Sequence, residues 1–189
     1  MNTTDRRMST GLRLVDLFGT ATAAPRAMGS HQSAAGGTDE WLTPPTLLER
    51  LGPFDLDPCA PISPPWRTAA TQYDIRDDGL SRAWAGRVWL NPPYTHAGKW
   101  LHHLAGHGDG LALLFARTET ALWFDHIWPH AAAILFLRGR LTFHHVDGRR
   151  AAANAGAPSA LIAYGDHEAD RLATCSVAGQ FIDLREVAS

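Results

Sequence analysis

Gly86-Arg87-Val88-Trp89-Leu90-Asn91-Pro92-Pro93-Tyr94 is the stretch on which the fold of this chain turns. Arg87 to Leu90 reads as a buried strand, with Val88 and Trp89 at its centre, and it runs without a spacer into a loop of two prolines. The prolines fix φ at about −65° and remove two backbone donors, leaving the carbonyls of Asn91 and Pro92 free to accept. In open α/β sheets ligands bind beyond the carboxyl ends of the strands, where strand order reverses, so a rigid acceptor loop here is well placed for chemistry. Two acceptors suit an amine. Gripping both N–H bonds of an aryl amine or amide localises a lone pair that is otherwise delocalised into the π-system. Tyr94 adds a flat face on which an extruded base can stack, worth about 1–3 kcal/mol.

On either side of this stretch, strand-like and helix-like segments alternate from Asp39 onward, the pattern of an α/β domain with a largely parallel sheet. Upstream, Pro45 to Leu51 reads as a short helix, with Leu47, Leu48 and Leu51 on one face and Gly52 able to take the left-handed cap. Phe54 to Asp57 reads as a first strand, Thr71 to Ile75 as a second, and Gly79 to Trp84 as a helical turn. Downstream, helices are expected over Ala97 to Leu104 and Thr120 to Trp128, the latter with Thr118 as N-cap. Strands are expected over Leu111 to Ala116, Ala133 to Leu137, Ala160 to Tyr164 and, at an edge, Phe181 to Leu184. Within Leu141 to Ala157, Asp147-Gly148 signals a hairpin turn. Residues 1–37, rich in Ala, Gly, Ser and Thr, read as a flexible extension, and residues 38–189 as one domain.

The 189 residues carry 17 Lys+Arg against 19 Asp+Glu, a formal net charge of −2, so average charge does not announce a nucleic-acid partner. Its distribution is more telling. Lys99 is the only lysine, and arginine, which supplies the rest, suits planar contacts with phosphates and bases. Arg138, Arg140, Arg149 and Arg150 gather around the hairpin as a local positive patch. Cys59 and Cys175 form no disulfide framework, no stretch approaches the ~18 apolar residues of a membrane span, and Arg13 and Asp16 interrupt the one apolar run near the N-terminus. A cytoplasmic protein with no membrane partner is therefore expected. Ten histidines invite a metal reading, but CxxC and HExxH are absent, and Gly106 and Gly108 weaken the helix that carries His102, His103 and His107. No metal is expected. Nothing in the pattern specifies an oligomeric state.

Asn91-Pro92-Pro93-Tyr94 resembles the D/N/S-PP-Y/F motif of amino-methyltransferases that use S-adenosylmethionine. The surrounding chain resembles the phage-type DNA N-6-adenine-methyltransferase (Dam) family. The strings that carry the likeness are Asp39-Glu40-Trp41-Leu42-Thr43-Pro44-Pro45, Phe54-Asp55-Leu56-Asp57-Pro58-Cys59-Ala60, Asp77-Asp78-Gly79-Leu80, the strand and loop of residues 86–94, Ala116-Arg117-Thr118-Glu119-Thr120 and Arg138-Gly139-Arg140-Leu141-Thr142-Phe143. They keep both order and spacing between Ser30 and Tyr164.

The resemblance implies an α/β, Rossmann-like class I S-adenosylmethionine-dependent methyltransferase fold, its sheet mostly parallel with an antiparallel edge. It implies transfer of a methyl group from S-adenosylmethionine to the exocyclic N6 amine of adenine in double-stranded DNA. Asn91, Pro92, Pro93 and Tyr94 would then form the catalytic loop, Asn91 and the Pro92 carbonyl holding the amine and Tyr94 stacking on the flipped base. Trp41, Thr43, Pro44, Asp57, Pro58, Asp77 and Asn91 would line the cofactor. Asp57 would meet its methionine amino group or order the loop, and Asp74 or Asp77 its ribose hydroxyls or adenine amine. Asp55, alternating with Asp57, would share its face. Cys59-Ala60-Pro61 supplies no G-x-G, which a cofactor without a pyrophosphate does not require. Arg117, Arg138, Arg140, Arg149 and Arg150 become candidates for DNA contact, mainly through residues 141–157, since the catalytic fold leaves little chain for a separate recognition domain. Two alternatives accompany this reading: an NPPY enzyme acting on protein glutamine or RNA, and a non-catalytic binding module derived from such an enzyme.

Overall fold

The structure is a computed structural model that describes residues 41–185. The extension expected over residues 1–37 lies outside the described residues. In chain order the elements are α1 (Pro45–Leu51), β1 (Leu56–Asp57), β2 (Thr71–Gln72), β3 (Val88–Leu90), a 3-10 turn (Tyr94–His96), α2 (Ala97–His107), β4 (Gly110–Phe115), α3 (Ala121–His126), β5 (Ala133–Leu137), β6 (Ser159–Tyr164), α4 (Asp166–Thr174) and β7 (Gly179–Asp183). The strands form one seven-stranded sheet in the order β2-β1-β3-β4-β6-β5-β7.

Strand β1 pairs in parallel with β2 on one side and β3 on the other, so the chain order reverses between β1 and β3. Asp57 and Leu90 end the two strands that flank this reversal. β3 and β4 pair in parallel, whereas β6 is antiparallel to β4 and β5, and β7 is antiparallel to β5. Five of the seven strands therefore run one way, and the expected parallel core with antiparallel edge is present. The antiparallel part is wider than an edge. Its registers hold six, four and five residue pairs, against two, one and three in the parallel part.

Side-chain alternation makes three layers from this sheet. Val88, Leu90, Ala112, Leu114, Ile134 and Ile162 pack with Leu101 and Leu104 of α2 and with Trp123 and Ile127 beside them. Trp89, Leu111, Leu113, Leu135, Leu161 and Ala163 pack with Leu47 and Leu51 of α1 and with Ala169 and Leu172 of α4. With helices on both faces, the central strands read as continuous apolar runs, and Val88, Trp89 and Leu90 are all fully buried.

Below the sheet, at the start of β3, Arg87 is a structural hub. Its Nε and Nη2 donate to the two Glu168 carboxylate oxygens at 2.6 Å each, and Nη1 donates to the carbonyls of Leu51 and Pro53 at 2.9 and 3.0 Å. The guanidinium also lies 4.1 Å from the Phe54 ring centroid. Asp55 serves this end too, its Oδ2 accepting from the Arg87 amide at 2.7 Å. The two aspartates around β1 therefore do not share one environment. Asp55 is exposed while Asp57 is buried, because regular pairing begins only at Leu56.

Other expectations shift for local reasons. Gly79 to Trp84 forms no helix, because the Gly79 carbonyl accepts from Trp84 Nε1 at 2.8 Å instead of from a helical amide. Thr118 caps nothing. The extended residue before α3 is Thr120, whose hydroxyl donates back to the Arg117 carbonyl at 2.8 Å, so that helix starts at Ala121. Helix α4 was not among the expected elements, although Asp166 and Glu168 in its first turn and Arg171 in its last are ordinary helix signals.

Candidate active site

β3 ends opposite Ala112, whereas β4 continues to Phe115. The Phe115 amide, beyond the last β3 pairing, finds its acceptor in Tyr94 Oη at 2.9 Å, and the Phe115 carbonyl accepts from Trp123 Nε1 at 3.1 Å. The Tyr94 and Phe115 rings stack with centroids 5.1 Å apart and planes 17° from parallel. Tyr94 thus completes the sheet where strand pairing gives out, and keeps 40% of its surface exposed.

Asn91 is oriented from outside its own loop. Its Nδ2 donates to the Trp41 carbonyl at 2.9 Å, which fixes the amide with the nitrogen on that side and reserves Oδ1 for an incoming donor. The expectation that both backbone carbonyls of Asn91 and Pro92 are free needs correction. Cys59 Sγ lies 3.6 Å from the Asn91 carbonyl and donates to it, since the turn after β1 returns alongside the end of β3. Burial, reinforced by the charge of Asp57, pushes the Cys59 thiol well above its ordinary pKa and keeps it a donor. The acceptors left for a substrate amine are Asn91 Oδ1 and the Pro92 carbonyl.

Asp57 lies beneath this arrangement with 4% of its surface exposed. Its Oδ1 accepts from the Cys59 amide at 3.1 Å and its Oδ2 from the Thr68 hydroxyl. Burial raises its pKa to about 6 against the downward pull of those two bonds. Pro58 is buried beside it, and Gly79 presses on that turn so closely that a Cβ there would sit 2.0 Å from the Pro58 carbonyl oxygen. This contact brings the Asp77 segment to the end of β1. Asp77 itself accepts from the Asp74 amide at 3.0 Å and pairs with Arg82 at 3.4 Å, while Arg76 draws the half-buried Asp74 down to about 2.

The segment before α1 completes the group. Leu42 exchanges backbone hydrogen bonds with His144 at 2.9 and 3.0 Å, and the Trp41 ring lies 5.0 Å from that of His145. Pro44 has a structural duty, its carbonyl accepting from the Leu47 amide at 3.0 Å to start α1. Thr43 is 1% exposed, and its hydroxyl has no partner among the described residues. Asn91, Tyr94, Trp41 and Asp57 thus meet around the reversal in strand order.

A family model described as DNA N-6-adenine-methyltransferase (Dam) matches residues 30–180. The chain belongs to the Dam family. No curated protein and no solved structure matches it.

In this Dam-family protein the arginines expected at DNA fall into two groups. Arg138, Arg140, Arg149 and Arg150 are exposed around the hairpin, whose turn is closed by the Gly148 amide donating to the His145 carbonyl at 2.8 Å. Arg140 donates to the carbonyls of Ala155 and Gly156 at 3.2 and 2.7 Å, and Arg149 pairs with Asp147 at 2.7 Å, so both hold the hairpin itself. Arg117 is half-buried, 5.8 Å from the Phe115 ring. His103 packs on Trp84 at 4.2 Å, and His107 Nε2 lies 2.7 Å from the Gly86 carbonyl oxygen. Sequence reasoning missed Cys59, Phe115 and Trp123 as supports of the Dam loop. A thiol two residues past β1, a phenylalanine at the end of β4 and a tryptophan in α3 were the available signals.

Proposed function

We propose that this protein transfers a methyl group from S-adenosylmethionine to the exocyclic N6 amine of adenine in double-stranded DNA. The observation that carries the reading is the Trp41–Asn91 hydrogen bond, which presents Asn91 Oδ1 as an acceptor next to the Pro92 carbonyl. Those two oxygens take the two N–H bonds of the amine and localise its lone pair. Tyr94, backed by Phe115, offers an exposed aromatic face to an extruded base, and stacking there offsets part of the few kcal/mol that extrusion costs. No strong general base is needed, because the amine's proton becomes acidic only once the nitrogen has been alkylated and then leaves to water.

The residues present fit the cofactor. The Thr43 hydroxyl, without a partner among the described residues, and the carboxyl of Asp57 lie in the two segments that frame the end of β1, where a polar ligand with an amino group would be held. Pro58 and Asp77 belong to the same wall through the Gly79 contact. When bound, S-adenosylmethionine supplies an electrophilic methyl group on a cationic sulfonium. The five-to-two strand directions and the order reversal at β1 and β3 support a Rossmann-like class I arrangement.

Incubating the full chain with tritiated S-adenosylmethionine and unmethylated duplex DNA, followed by nucleoside analysis, tests the reading. Label in N6-methyl-2'-deoxyadenosine supports it. Label confined to protein or RNA overturns the DNA assignment, and activity in cells that survives Asn91→Ala and Tyr94→Ala overturns the catalytic one.

A further inference from the structure

Immediately past the catalytic loop lies an open cleft of about 480 Å³, lined by Thr95, His96, Gly98, Lys99, His102 and His126. We propose that this cleft grips the sugar–phosphate backbone of the DNA strand beside the target adenine, an inference that rests on the DNA reading above. Its charge is one-sided. No carboxylate lines it among the described residues, and it holds the chain's only lysine. Its three imidazoles donate N–H bonds to phosphate oxygens in either protonation state, and their ring faces suit a sugar. The volume lies within the range of sites that hold small organic groups, so a nucleotide-sized unit fits.

Construction of the cleft also favours a ligand-bearing role. Gly98 is the second residue of α2. A Cβ at Gly98 would lie 2.8 Å from His126 Nε2, so the glycine is what lets the α3 imidazole close against α2 and form the wall. Position links it to the chemistry. The 3-10 turn Tyr94–His96 carries the stacking ring at one end and the cleft wall at the other, so a base lying on Tyr94 brings its own flanking phosphates there. The hairpin offers less, since Arg140 and Arg149 are engaged with their own carbonyls and carboxylate.

The test is fluorescence anisotropy of the full chain with a labelled, unmethylated duplex between 50 and 200 mM salt, comparing wild type with Lys99→Gln, His102→Gln and His102→Glu. All three changes fall at exposed positions, and unchanged S-adenosylmethionine affinity checks that each variant is folded. Lys99→Gln is expected to weaken duplex binding about fivefold or more, equally across sequences, and to reduce the slope of log K against log salt by about 1. His102→Glu is expected to weaken it further than His102→Gln. Wild-type affinity and slope in all three variants overturn the cleft while leaving the DNA reading intact. A wild-type protein that binds no duplex and labels another acceptor overturns both.

Discussion

Burial of Asp57 predicts an unusual dependence of stability on pH. The folded protein holds this carboxyl at about 6 against an ordinary 3.8, chiefly by desolvation. Between those values the folded state keeps a proton that the unfolded chain releases, so this group's contribution falls as pH rises from about 4 to about 6 and then levels off. A shift of about 2 units at about 1.4 kcal/mol per unit corresponds to about 3 kcal/mol. Asp57→Asn preserves the side chain's shape and an acceptor for the Cys59 amide but cannot ionise, so it lacks this slope. Asp74 and Asp183, both drawn down to about 2 by their arginine neighbours, act oppositely: the stability they contribute is lost as pH falls below the ordinary carboxylate value. They are common to both proteins and cancel in the comparison. Urea unfolding of the pair from pH 4 to pH 8 is the assay, and wild-type stability relative to the variant is expected to fall by about 3 kcal/mol over the range. A difference that stays flat with pH refutes the reasoning.

Asn91→Ala removes one of two acceptors for the amine and is expected to lower methyl transfer at saturating S-adenosylmethionine by about a hundredfold or more, read by filter assay. Tyr94→Phe keeps the stacked ring but strips the Phe115 amide of its acceptor, costing about 1–3 kcal/mol in urea unfolding. Glu168→Gln breaks the buried ion pair with Arg87 and is expected to cost about 3–5 kcal/mol, seen as a lower melting temperature with activity per folded molecule unchanged.

What the sequence made legible was local. Pro45–Leu51 and Ala133–Leu137 form as their apolar patterns predict, and the Asp147-Gly148 turn closes the hairpin. Gly52 ends α1 with a positive φ of 84° but an extended ψ of 179°, so it is not the left-handed cap expected. The Asn91 loop likewise stands where its strand and prolines put it, at the reversal in strand order. Contacts between distant segments were not legible, because no spacing rule encodes them. The Trp41 carbonyl that orients Asn91 lies fifty residues upstream, and the Cys59 thiol that takes the Asn91 carbonyl lies thirty-two upstream. Charge misled in the same way. Four arginines in one stretch look like one surface, but two of them are tied to their own loop. The lone lysine, inconspicuous in the sequence, stands in a cleft beside the Asn91 loop.

The unequal registers of the sheet have a mechanical consequence. β4, β6, β5 and β7 are laced by long antiparallel ladders, whereas β1, β2 and β3 are joined by only a few rungs and owe their placement to clasps such as Arg87 with Glu168 and Tyr94 with Phe115. Local opening follows the weaker seams, so amide protons of β1 and β2 exchange sooner than those of β4 and β6. The molecule is in effect a stiff plate with a clasped flap.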